Sequence, residues 1–97
     1  MNSMSSEYNI GLTQEDAFRQ QVTLQMESDN NVGRLMRWRI NRRLRSQKFV
    51  RLAMEEYHAD MYWDESADEM PLHAIDWKNI DWERLLKIIL TIISMFA

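Results

Sequence analysis

The stretch Gly33–Trp63, GRLMRWRINRRLRSQKFVRLAMEEYHADMYW, decides how the rest of the chain is read. Its first half is crowded with arginine and its second half carries acids, while apolar residues recur at helical spacing through both. At about 100° per residue, Met36, Ile40, Leu44, Val50, Ala53, Met54, Tyr57 and Met61 fall on one side. Arg34, Arg37, Arg45 and Lys48 fall together on another. Trp38, Phe49 and Leu52 lie off the main stripe and mark a second, smaller apolar contact. The pattern predicts one long central helix over about 32–63, with a core face and a basic face.

Working toward the N-terminus, Ser28-Asp29-Asn30-Asn31 followed by Gly33 is a turn signal. Before it, Thr13 is a good N-cap with Asp16 three residues on, and Glu15 and Asp16 suit the positive end of a helix. A helix over about 14–27 follows, with Phe18, Val22 and Met26 as an i, i+4, i+8 stripe. The turn would fold it back antiparallel on the central helix. Residues 1–12 read as a flexible or extended arm in which Tyr8, Ile10 and Leu12 alternate.

Toward the C-terminus, residues 64–75 form an acidic loop that contains Pro71 and His73. Ile75-Asp76-Trp77 and Ile80-Asp81-Trp82 then repeat, so Asp76 or Asp81 is expected to cap the last helix. That helix, over about 82–96, carries no charge after Lys87. Spanning a bilayer takes about 20 apolar residues, and this run is shorter and interrupted by Lys87. Its expected place is inside a helical bundle or an oligomer, with a membrane surface as the lesser possibility.

The expected fold is therefore all-α: a short helix, a long central helix and an apolar terminal helix in one domain over 13–97, as a hairpin or small bundle that oligomerises. The 97 residues are 45% hydrophobic, with four Trp and eight Met, a large apolar load for a chain with so much surface. Trp and Met favour interfaces, which points to a partner or to self-association.

Net charge is −3, but its distribution is bipolar. Eight basic residues lie between Arg34 and Arg51 with no acid among them, and ten acids lie between Glu55 and Glu83 opposed only by Lys78. On a single helix this arrangement puts cations in the N-terminal half and Glu55, Glu56 and Asp60 in the C-terminal half, the reverse of what the helix dipole favours. A local rule broken without local gain points to function or to pairing with a partner. Arg34, Arg37, Trp38, Arg42, Arg45 and Lys48 are the candidate docking residues, for an acidic protein surface or for phosphates with Trp38 stacking on a base. The acidic overall balance weighs against nucleic acid. Trp77, Trp82, Leu85, Leu86, Ile89, Ile92, Ile93 and Phe96 are the candidate apolar interface.

Glu55 and His58 stand at the Glu-x-x-His spacing that puts both side chains on one helical face. In this fragment the chain resembles small two-helix ferritin-like subunits, which implies a metal-binding bundle with further carboxylates from Glu15, Asp16 or Glu27. The favoured expectation is no metal and no cofactor. With no Cys, thiolate ligands, disulfides and cysteine catalysis are excluded. Only Gly11 and Gly33 are available for a phosphate loop. The first residues lack a basic segment and an apolar core, so no cleavable secretory signal is expected and a cytoplasmic or assembly-bound location is. The sequence reading is a non-enzyme with no small-molecule substrate. It would act as an assembly subunit or small regulatory adaptor whose partner is another protein or a copy of itself, with a nucleic-acid module and a metal-binding subunit as alternatives.

Overall fold

A computed structural model describes residues 13–61 and 75–95. The expectations for the arm 1–12, the acidic stretch before Ile75, His73 and Phe96 lie outside the described residues. Among the described residues the protein is all-helical: α1 Gln14–Ser28, α2 Arg34–Leu44, α3 Gln47–Met61 and α4 Trp82–Met95, with a 3-10 turn at Trp77–Asn79.

The first helix forms as its sequence dictates. Thr13 Oγ1 accepts from the Asp16 amide at 3.0 Å, and Phe18, Val22 and Met26 are buried. The turn to α2 is built on Asp29, whose carboxylate accepts from the Asn31 amide at 2.9 Å while its carbonyl accepts from the Val32 amide at 3.2 Å. Gly33 then caps α2 with φ −71, so the turn uses none of glycine's conformational freedom.

The expected long central helix is two helices. At the joint the Arg45 amide reaches Arg42 O at 3.4 Å and the Ser46 amide reaches Arg43 O at 2.9 Å, which closes α2. Ser46 Oγ then accepts from the Phe49 amide at 3.2 Å, which opens α3. The physical reason is a competition that Ser46 wins: a serine side chain offers the next turn's amides an alternative acceptor. The break also re-registers α3, so Phe49, which lies off the stripe of a continuous helix, is buried beside Val50. The helix-dipole conflict is thereby reduced. Arg42 and Arg43 stand in the last turn of α2, where its carbonyl end favours cations.

The core runs through all four helices. α3 is central and packs on α1, α2 and α4. It contributes Phe49, Val50, Ala53, Met54 and Tyr57, facing Phe18 and Val22 of α1, Ile40 and Leu44 of α2, and Leu85 and Ile89 of α4. Both repeated aspartates act as caps. Asp76 accepts from the Lys78 amide at 3.1 Å and starts the 3-10 turn, and Asp81 accepts from the Arg84 amide at 3.3 Å and starts α4. The Trp77 ring enters the core edge-on to Phe18, with centroids 5.2 Å apart, and lies tilted against Tyr57 at 5.8 Å. Tyr57 ties α3 to α4, its hydroxyl accepting from the Asp81 amide at 2.8 Å.

Candidate functional site: the basic face of α2

α2 buries Ile40 and Leu44 and turns Arg34, Leu35, Trp38, Asn41, Arg42 and Arg45 to solvent. At 3.6 residues per turn these six fall within an arc of about 120°. The arc contains no acid. Trp38, 56% exposed, stands at its centre, and Leu35, 70% exposed, at its edge beside Arg42. The Arg42 guanidinium lies 5.5 Å from the centroid of the Trp38 ring, within reach of its electron-rich face.

The ion pairs among the described residues are Arg19–Asp16, Arg51–Glu15, Arg84–Asp60 and Arg84–Asp81. Arg34, Arg39, Arg42, Arg45 and Lys48 take part in none of them. Among the described residues, none of these five pairs with Glu55, Glu56, Asp60, Asp76, Asp81 or Glu83. Arg51 instead pairs with Glu15 of α1 at 3.1 Å. Asp60 holds Arg84 at 2.8 Å, and with Asp81 it raises that guanidinium's pKa above its ordinary value.

Of the docking candidates read from sequence, Arg34, Trp38, Arg42 and Arg45 share this face. Lys48 lies across the joint on α3, exposed, beside Arg43, Ser46 and Phe49. Arg37 is turned inward: its Nε donates to Val32 O at 3.1 Å and its Nη2 to Asp29 O at 3.3 Å, sealing the turn between α1 and α2. Leu35 was missed. The signal for it is its position three residues before Trp38, off the core stripe and on the same exposed side.

The candidate apolar interface lies elsewhere than on a free surface. Trp77, Leu85, Ile89, Ile92 and Ile93 are buried in the chain's own core, at 6% exposure or less. Trp82 and Leu86 are half-buried. The Trp82 indole donates to Asp29 Oδ2 at 2.9 Å, and this bond, followed by the Asn31 amide, holds the Asp29 carboxyl below the usual carboxylate range.

What α4 leaves open are two grooves along its flanks. One, of about 510 Å³, lies between α3 and α4 and is lined by Glu56, Asp60 and Glu83 and by Ile88, Ile92 and Met95. The other, of about 710 Å³, lies between α4 and the turn after α1, with Asp29, Asn30 and Asn31 over Trp82, Leu86 and Leu90.

The ferritin-like fragment is not completed here. Glu55 is exposed and His58 half-buried, and among the described residues no group of three or more His, Asp or Glu side chains is placed to hold a metal ion. Glu15, offered as a further ligand, accepts instead from Gln47 and Arg51, each at 3.1 Å. Among the described residues no helix is long and apolar enough to cross a membrane. No family model, curated protein or solved structure gives a significant match to the chain.

Proposed function

We propose that this chain is a non-catalytic interaction module, a structural component or small regulatory adaptor, that docks through the outer face of α2 onto an acidic protein surface with an apolar centre. The observation that carries this reading is the acid-free face itself, with exposed Trp38 set among Arg34, Arg42 and Arg45 and exposed Leu35 at its edge. Single exposed apolar residues are ordinary on protein surfaces. A Trp and a Leu side by side within a cluster of guanidinia match the composition of interface centres, where Trp and Arg dominate the binding energy. Leu35 favours protein over nucleic acid, because it neither stacks on a base nor reaches a phosphate. The net charge of −3 favours it too, since it opposes approach to a polyanion. The non-catalytic part of the reading rests on the absence of Cys and of a glycine-rich phosphate loop.

A photoreactive residue placed at Leu35, cross-linked in the cells that make the protein, tests the reading. A discrete protein adduct is expected, absent when Arg42 and Arg45 are both changed to Glu. The same probe at Leu24, 60% exposed on α1, is the control and gives no such adduct. Adducts to nucleic acid alone, or the same adducts from both positions, would overturn it.

A further inference from the structure

Resting on the docking reading above, we infer that the acidic surface met by the α2 face is the α3–α4 groove of a second copy of this chain, so that copies associate head to tail. The two surfaces are complementary in charge, and each carries exposed apolar side chains. On α2, Arg34, Arg42 and Arg45 flank exposed Trp38, with exposed Leu35 beside Arg42 at the edge of the face. The groove is lined by Glu56, Asp60, Asp81 and Glu83 together with the apolar Ile88, Ile92 and Met95, the last 72% exposed.

The rim of the groove keeps a net negative charge. Its cations are Arg84 and Lys87, and Arg84 is already held by Asp60 and Asp81. Glu56 and Glu83 are exposed and take part in no ion pair among the described residues. Among the described residues no ion pair joins the two surfaces, so the basic residues of the one and Glu56 and Glu83 of the other are available to a partner. The groove has the volume of an ordinary ligand site, enough to receive a side chain such as Trp38.

Because one patch meets a different patch, the contact is heterologous. Such contacts build rings when the rotation closes and open chains when it does not, rather than a simple two-fold dimer. The charged rims make it salt-sensitive: raising salt from about 0.1 M to about 1 M shortens the screening length from roughly 10 Å to roughly 3 Å.

Sedimentation velocity on the purified full chain, over a concentration series at low and high salt, tests this with two charge-reversed variants. One carries Arg42→Glu and Arg45→Glu, the other Glu56→Lys and Glu83→Lys. All four positions are exposed, and circular dichroism checks that each variant folds. The parent is expected to grow in mass with concentration at low salt and to dissociate at high salt. Each variant alone sets like charges against like and is expected to associate at least about tenfold more weakly. An equimolar mixture of the two restores opposite charges at every contact and regains the parent's mass. A parent that stays monomeric, an association unchanged in both variants, or a mixture that stays dissociated overturns the inference. A monomeric parent whose Leu35 probe still captures a different protein sinks self-pairing alone and leaves the docking reading standing. No adduct at Leu35 sinks both.

Discussion

Changing Tyr57 to Phe removes the hydroxyl that bonds α3 to α4. The hydroxyl accepts from the Asp81 amide at 2.8 Å, and the side chain is 2% exposed. Phenylalanine keeps the ring, its packing on Trp77 and the volume of the core, so no cavity term enters. What is lost is the acceptor, and the part-buried Asp81 amide at the head of α4 is left without it. A typical internal hydrogen bond contributes a net of about 0.5–1.5 kcal/mol, and an orphaned buried donor costs about 1–3 kcal/mol. Partial burial places this case at the lower end, about 1–2 kcal/mol. For a domain of this size each kcal/mol shifts the melting temperature by about 4–8 °C, so a fall of about 5–15 °C is expected. Urea unfolding followed by circular dichroism should show a lower midpoint with an unchanged slope. Amide exchange supplies a local readout, since protection of the Asp81 amide should fall more than that of Ile89 deeper in the same helix. Ser94→Ala is the control. Its exposed hydroxyl bonds the Leu90 carbonyl one turn back, and its loss should stay within about 0.5 kcal/mol. A Tyr57→Phe variant as stable as the parent, with the Asp81 amide equally protected, would refute the tether.

Ser46→Ala removes the cap that opens α3 and should cost about 0.5–2 kcal/mol in urea unfolding; no loss would mean that the break does not depend on the side chain bonded to Phe49. Asp29→Asn should alter the acid limb of stability. The folded carboxyl has a pKa below its unfolded value, so its contribution is fully present above that value, about 3.9, and fades as pH falls through the lower folded value. The Asn variant should lack that fading below about pH 4, and superimposable acid titrations of the two would count against the Trp82 bond. Ile89→Ala should cost about 2–5 kcal/mol, because the side chain is fully buried. Leu35→Ala should stay within about 0.5 kcal/mol in the isolated chain. Equal costs in thermal melts would mean that the division between core and docking surface is misdrawn.

Helix positions that follow from short-range chemistry were legible in the sequence. Thr13, the Phe18–Val22–Met26 stripe, the polar turn at 28–31 and the start of α4 stand where capping and periodicity put them, within a residue or two. The joint at Ser46 was not read, because the apolar stripe on either side tolerates a continuous helix. Only the polar run Arg45-Ser46-Gln47-Lys48 between Leu44 and Phe49 hints at it. The basic run was legible as charge but not as geometry. Nothing local distinguishes Arg37, which folds onto two backbone carbonyls, from Arg42, which faces outward. The role of α4 stayed open between core and interface for a different reason. An apolar helix can be read equally as a core or as an interface, and deciding needs the partners across the core, such as Phe18, Tyr57 and Trp77, that only folding brings together.

That allocation bears directly on function. A chain of this length has little apolar surface to spare for its own interior, and it uses the most hydrophobic helix to close it. The apolar side chains free to recognise something else are then those left outside, and Leu35 and Trp38 are paired on one helix. That helix is pinned at both ends by arginine–carbonyl bonds. At its start Arg37 reaches back to Val32 O and Asp29 O, and at its end Arg19 of α1 donates to Leu44 O at 2.7 Å while its Nη2 meets Gln47 of α3 at 2.9 Å. Two of the chain's cations are thus struts that fix how α2 sits, and Arg34, Arg42 and Arg45 are presented on a helix already held in place. Binding through such a face loses less ordering entropy than binding through a loose segment. Arg19→Met keeps most of the side chain's length and removes the strut. It should therefore weaken docking at the α2 face although residue 19 lies on a different helix, and undiminished binding by a folded Arg19→Met variant would show that the face works without being held.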